Sequence, residues 1–295
     1  MPPALTPSAA RSGKPQPFLD PQQIAALYAD MARVDRRSNT LLDAKTSGKH
    51  VGEHVAHLLA SAAPHLTANP ALIADLGCGN GRPTRAVAQH FPQANMLAID
   101  ASTTMLSAAR AHLHNRLGAD ADRIAYLRAD FHQLPIADAA IDAATAIFCL
   151  YHSTDPSKAI TEIARSLTPG GAALLVTKST NSYHELDELL AQTGIDPDAT
   201  GRPSLYQSAA GHLLPDIAAT ALTVDAVIRD EHTFCFRTAQ HLADYLTTVP
   251  KYHLPSSLHT DPEALAAELR RRRGDEPATT TSTITYVVGH RPQRP

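Results

Sequence analysis

The chain predicts an α/β fold, a parallel sheet with helices on both faces. Three observations carry this. The run Ala71-Leu72-Ile73-Ala74-Asp75-Leu76 is apolar, ends beside an acid, and leads into Gly77-Cys78-Gly79-Asn80-Gly81, so it reads as buried strand, tight glycine turn and helix start at Arg82-Pro83-Thr84. A second short strand, Asn95–Ile99, also closes on an acid, Asp100. Strand and helix patterns then alternate as far as Thr177, which argues for right-handed crossovers in a parallel sheet. Two acids at the carboxyl ends of neighbouring parallel strands describe a nucleoside pocket.

The elements follow in order. Residues 1–20 are rich in Pro and Ser without an apolar core, and read as a mobile N-terminal tail rather than a secretion signal. Residues 21–66 form a helical cap. Pro21 opens one helix reaching about Arg36, with Ile24, Leu27 and Met31 at helical spacing; Ser47-Gly48-Lys49-His50 breaks the pattern; Val51 to about Leu66 is the next helix. The core spans 67–237, with strands at Ile124–Leu127, Ile141–Phe148 and Ala172–Thr177, a turn at Thr168-Pro169-Gly170-Gly171, a helix from Asn181 to about Thr193, a loop and helix over Pro203–Thr220, and two strand pieces at Leu222–Ile228 and Thr233–Arg237. Helices at Thr238–Val249 and Asp261–Arg273 fill 238–280, and the last strand, Ser282–Val288, lies in 281–295.

The dinucleotide fingerprint needs a further glycine at position 82, which is Arg82, so that pattern fails. Asp75 followed by Gly77-x-Gly79-x-Gly81 instead resembles motif I of the class I S-adenosylmethionine-dependent methyltransferases. Arg128-Ala129-Asp130-Phe131, Leu134-Pro135 and Thr168-Pro169-Gly170-Gly171 resemble the family's later landmarks, in order. The likeness is strongest from Ile73 to Thr177. It implies a Rossmann-like seven-stranded, mostly parallel sheet whose last strand is antiparallel, with the 238–280 helices as a lid. It also implies S-adenosylmethionine as cofactor. Asp100 would accept from the ribose hydroxyls, since charge-assisted bonds are strong, with Ser102 available as the helix cap instead. Asp130 and the Phe131 amide would read the adenine, Ala101 and Met105 would pack on it, and Gly77, Ile147 and Phe148 would offer carbonyls to the amino group. Cys78, Gly79 and Gly81 complete the turn; Asp75 would order it or reach the amino group through water. Lys49, His50 and Arg82 are candidates for the cofactor carboxylate.

Methyl transfer requires alignment and exclusion of water, plus a base where the acceptor carries a proton. His152, just past the fourth strand, is the candidate base. Tyr28 is the second catalytic candidate: in phosphoethanolamine methyltransferases, which this region resembles in position and residue type, a helix tyrosine pairs with a histidine at that place. Tyr151, His184, Tyr206, Tyr245 and Tyr252 are the candidate substrate contacts, beside His212 and His253 in the same roofing segments. The bland readings are a packed helix face for Tyr28 and a solvated first turn for His184.

Composition sets limits. Among 295 residues, 26 Lys and Arg stand against 29 Asp and Glu, a net charge of −3, which points to neither nucleic acid nor an acidic membrane. Three unpaired cysteines, Cys78, Cys149 and Cys235, fit a reduced, cytoplasmic protein. The sixteen histidines lack ligand spacing, and His54-Val55-Ala56-His57 is not the HExxH signature, so no metal is expected. A small-molecule acceptor, through oxygen, nitrogen or carbon, in secondary metabolism is the expected substrate. The chain can be a homodimer, its N-terminal helix covering its own site or a second copy's. Two other classes stay open: a cyclisation or rearrangement using the same cofactor, and a non-catalytic partner of another methyltransferase.

Overall fold

The computed structural model describes residues 16–293. In chain order, α1 (Pro21–Ala29), α2 (Met31–Ala44) and α3 (Val51–Ala62) precede β1 (Leu72–Leu76), α4 (Arg82–His90), β2 (Asn95–Asp100), α5 (Thr103–Leu117), β3 (Ile124–Arg128), β4 (Ile141–Ile147), α6 (Pro156–Ser166) and β5 (Leu167–Lys178). Then come α7 (His184–Gln192), α8 (Leu214–Ala218), β6 (Thr223–Phe236), α9 (Ala239–Leu246), α10 (Pro262–Arg273) and β7 (Ala278–His290).

One seven-stranded sheet runs in the order β3-β2-β1-β4-β5-β7-β6. The pairs from β3 to β5 are parallel, and β7 is antiparallel to both β5 and β6. The expected fold class is therefore present. Successive strand residues serve opposite faces: Ile73, Ala143 and Leu174 join the core under α3, α4 and α5, while Ala74, Ala144 and Leu175 join the core under α6 to α10. Burial on both faces is why these strands read as unbroken apolar runs.

Several boundaries differ from the sequence expectation, and the turn expected at Thr168-Pro169-Gly170-Gly171 lies within β5. The N-terminal helix is two helices, because Asp30 leaves the helical conformation and its side chain caps α2 at the Arg33 amide. The expected mobile tail lies outside the described residues through position 15; within it, Phe18 is 4% exposed and packs into the larger core. The two strand pieces at 222–237 are one strand, since Arg229-Asp230-Glu231-His232 pairs with Thr285 to Ser282 without a break. That polar run is tolerated because β6 is an edge strand with one wet face. The last strand starts at Ala278, earlier than expected.

Candidate active site at the carboxyl ends of the strands

The glycine turn is built by backbone geometry. Gly77, Gly79 and Gly81 take φ of +64°, +55° and +79°, a region closed to most side chains. A Cβ on Gly77 would stand 2.4 Å from the Cys149 Cβ, and one on Gly81 would press on Leu113, whereas one on Gly79 would meet nothing within 4 Å. Gly79 thus faces open space. Its amide donates to Asp100 Oδ2 at 3.0 Å, and the Ser102 amide donates to Oδ1 at 2.8 Å. Ser102, not Asp100, caps α5, accepting from the Met105 amide. A carboxylate has about four acceptor positions, so Asp100 keeps capacity for hydroxyl donors. Burial pushes its carboxyl up, against the bonds from Ser102 and Gly79.

Asp75 is 1% exposed. It accepts from Thr84 Oγ1 at 2.5 Å and Thr145 Oγ1 at 2.8 Å, buckling β1 to α4 and β4. Desolvation raises its carboxyl to about 6 despite those two bonds. These two bonds tie the end of β1 to β4 and to the helix that follows the glycine turn. Cys78 is buried, its amide donating to the Ile99 carbonyl at 2.9 Å. Ile147 and Met105 are buried, Ala101 is exposed, and Phe131 is half-buried beside His132. Asp130 Oδ1 takes two bonds from His132, through the amide at 2.9 Å and Nδ1 at 2.7 Å, while His132 Nε2 meets Ser153 Oγ at 2.6 Å.

The two catalytic candidates meet. Tyr28 Oη and His152 Nε2 are 2.8 Å apart, and His152 Nδ1 lies 3.3 Å from the Phe18 carbonyl. A carbonyl only accepts, so that contact assigns the proton to Nδ1 and leaves Nε2 as the acceptor of the tyrosine hydroxyl. Burial lowers His152 to about 4, with the nearby Arg37 charge acting the same way against the Phe18 bond. Burial likewise raises Tyr28, against Arg37. Both groups rest neutral at pH 7. The helix carrying Tyr28 covers the chain's own site.

An aromatic chamber continues from this pair. His152 and Tyr151 rings lie 4.8 Å apart, Tyr151 and Tyr206 5.0 Å, Tyr206 and Tyr183 6.4 Å, and Tyr183 and Tyr245 6.1 Å. Tyr252 borders the same group around a cavity of about 20 Å³, room for one water. A larger concavity of about 750 Å³, along α5 and β3, holds none of these side chains. His184 stands apart: half exposed, it pairs with Glu188 at 3.2 Å on the first turn of α7. His212 and His253 are also exposed. Of the cofactor-carboxylate candidates, Arg82 donates to Asn39 Oδ1 at 2.6 Å, the Lys49 amide donates to Asp230 Oδ2 at 2.9 Å, and His50 caps α3.

Sequence reasoning missed Phe18, Arg37, His132 and Lys178. Lys178 ends β5, and its ammonium lies 5.0, 4.9 and 5.2 Å from the ring centroids of Phe148, Tyr183 and Tyr206. A lysine closing the strand beside β4 was the available signal, because ligands bind outside the carboxyl ends of such strands.

Among known proteins, the Methyltransferase domain family matches residues 74–175. A malonyl-acyl-carrier-protein O-methyltransferase of Xylella fastidiosa (strain M23) is 30% identical over 138 residues, 47% of this chain and 45% of that one. A Micromonospora griseorubida protein named as a 23S rRNA (guanine-N(1)-)-methyltransferase is 29% identical over 237 residues, 80% of this chain and 65% of that one. The match thus spans about half to two thirds of these relatives' length. The crystal structure of the (4+2)-cyclase SpnF superposes with a TM-score of 0.58 and 20% identity, covering 96% of this chain and all of that one, a likeness of fold. Sheet order, glycine turn and family match agree: the chain carries a class I S-adenosylmethionine-dependent methyltransferase domain.

Proposed function

We propose that the protein transfers a methyl group from S-adenosylmethionine to a small organic molecule, with His152 as general base and Tyr28 as its hydrogen-bonded partner. The observation that carries this is the 2.8 Å Tyr28–His152 contact beside an open glycine turn. The residues present fit the cofactor: Gly79 leaves space where a Cβ would intrude, and Asp100 has acceptor capacity for a ribose diol. Asp100, Asp130, Phe131 and the Gly77 carbonyl would hold it. When bound, it supplies a methyl group already activated on a sulfonium.

The protein's own residues do the rest. The Phe18 carbonyl fixes the His152 tautomer, and Nε2 takes the Tyr28 hydroxyl proton along their hydrogen bond as the Tyr28 oxygen takes the proton that an O–H or N–H acceptor releases. Tyr28 shares that bond and covers the site, excluding water. The reading places the enzyme in the cytoplasm and in secondary metabolism, without a metal or nucleic-acid partner. The Micromonospora relative supports a second acceptor class, a guanine nitrogen, against the net charge of −3.

Calorimetric titration with S-adenosylhomocysteine tests the cofactor. We expect micromolar binding, weakened at least about tenfold in Asp100→Ala, a loss of roughly 1.4 kcal/mol. Wild-type protein that binds neither S-adenosylhomocysteine nor S-adenosylmethionine would refute the assignment. Release of S-adenosylhomocysteine over a panel including small acids, amines and guanine-containing RNA then sorts acceptor from acceptor; cyclisation without that release would point to the rearrangement class.

A further inference from the structure

The sheet has two edges, and the chain guards them differently. At the β6 edge, Lys45 bridges to Phe234, the Thr46 amide donates to the Thr233 carbonyl at 2.8 Å, and Arg229-Asp230-Glu231 sets charges along the strand. Cover and charge of this kind discourage strand pairing. At the other edge, β3 (Ile124-Ala125-Tyr126-Leu127-Arg128) pairs with β2 alone, and among the described residues no strand or bridge lies on its outer side. Its outward N–H and C=O groups form a row of ready donors and acceptors. Beside this edge runs the concavity of about 750 Å³, lined by Tyr126 and Arg128 of β3 and by Leu106, Arg110 and His114 of α5. Ala125, Arg128 and Arg110 are exposed. An open strand edge with a groove alongside is the arrangement that strand addition uses.

The groove carries a surplus of positive charge. The Arg110 guanidinium lies 4.5 Å from the Tyr126 ring centroid, and Arg128 Nε donates to the Ala101 carbonyl at 3.2 Å. Among the described residues neither arginine makes an ion pair, although Asp122 lines the same groove. Exposed arginines elsewhere hold carboxylates: Arg270 meets Asp275 at 3.2 Å, and Arg271 Nε meets Glu268 at 2.8 Å. The surplus selects the occupant. A second copy added through β3 brings the same two arginines across a twofold axis, like charge against like. Residues 1–15 of the chain bring Arg11 and Lys14 and no acid. A nucleic acid meets the arginines and the Tyr126 ring but leaves the row of backbone donors and acceptors unmatched. An extended acidic peptide matches all three features. Its backbone pairs with the edge, its alternate side chains on one face reach α5, and its carboxylates meet Arg110 and Arg128.

We propose that the β3 edge and the neighbouring face of α5 dock an extended acidic segment of a partner protein, added to the sheet as a further strand. The surface holds neither the glycine turn nor the Tyr28–His152 pair, so the inference stands apart from the methyltransferase reading. The test uses the full chain, by calorimetry and amide hydrogen exchange. The probes are the capped hexapeptide Glu-Val-Glu-Val-Glu-Val, its Lys-Val counterpart, a fully N-methylated Glu-Val peptide that keeps the charge but lacks backbone donors, and a hexauridylate. The Glu-Val peptide should bind about tenfold or more tighter than the Lys-Val and N-methylated peptides, a difference of roughly 1.4 kcal/mol, and should slow exchange over residues 124–128. Arg110→Glu and Arg128→Glu, both at exposed positions, should each weaken that binding about fivefold or more and melt near the wild-type temperature. Arg110→Lys should keep most of the affinity. No binding of the Glu-Val peptide at millimolar concentration would overturn the proposal. So would equal binding of the Lys-Val or N-methylated peptide, undiminished affinity in both arginine variants, or exchange over 124–128 left unchanged. Hexauridylate binding this face more tightly than the acidic peptide would also overturn it and make the groove a nucleic-acid surface.

Discussion

Tyr28 and His152 each gain meaning only from the other, so they should fail as a unit. Removing a positioned acid–base group costs about 10²–10⁴ in rate. Tyr28→Phe and His152→Ala are each expected to lower kcat/KM by roughly 10² or more, and the double variant to be little worse than the more damaged single. Steady-state kinetics on the identified acceptor measures this; fully additive losses would separate the two residues. The folded pKa of His152, about 4, lies below the ordinary 6.5, so the neutral base persists through mildly acidic pH. The acid limb of kcat/KM should therefore sit nearer 4 than 6.5. At this scale, legibility followed local pattern. Asp75, Asp100 and the three glycines could be read because strand, turn and acid are contiguous. The Tyr28–His152 contact was legible only through resemblance, as the residues are far apart in sequence. Arg37 was not legible, and Lys178 carried only the signal of its place at a strand end. Arg37 looks like one more polar residue of a helix until the fold sets it beside Tyr28, and Lys178 like the solvated end of a strand until Phe148, Tyr183 and Tyr206 surround it.

The glycine turn offers a test that separates shape from binding. Gly77→Ala combines a left-handed φ with a Cβ 2.4 Å from Cys149. The conformational term is about 1–2 kcal/mol and the overpacking term about 1–3 kcal/mol, so chemical denaturation should show a clear loss of stability. Gly79→Ala carries the conformational term alone, because its Cβ would meet nothing within 4 Å. It should fold, lose less stability than Gly77→Ala, and still bind S-adenosylhomocysteine poorly. Equal denaturation midpoints for the two variants would contradict the packing difference. The helix break at Asp30 had a readable signal, an acid directly before a helical run with its side chain on the Arg33 amide; the continuing 3.6-residue periodicity across it masked the signal. β6 was cut in two for the opposite reason. Its polar middle has no apolar alternation, and only pairing with β7 explains it.

Across the whole molecule, Asp75 couples stability to pH. Its folded value, about 6, exceeds the model-compound 3.8, so the folded state holds a proton that the unfolded chain releases. Its contribution is fully present below 3.8 and is lost as pH rises through 6, by about 3 kcal/mol at most. Asp75→Asn keeps hydrogen-bonding groups near Thr84 and Thr145 but cannot titrate. Its stability relative to wild type should increase between pH 4 and 6; a pH-independent difference in urea midpoints would remove Asp75 from the account. The two-faced core was legible from the apolar strands. The closing of α1 over the chain's own site was not, because nothing local distinguishes covering oneself from covering a neighbour.

The place of β7 in the sheet has a consequence for biosynthesis. It comes last of the seven sheet strands in chain order, yet it lies between β5 and β6 rather than at an edge. During vectorial synthesis, β5 must hold an unpaired edge while the β6 segment, α9 and α10 emerge, and β6 has no ladder to join until Ala278–His290 arrives. The half-sheet from β3 to β5 can assemble early. The Lys178 end of β5 and the ring chamber beside it are sealed only when the late hairpin docks, so a nascent chain stalled before Ala278 exposes a sticky sheet edge to the ribosome's surroundings.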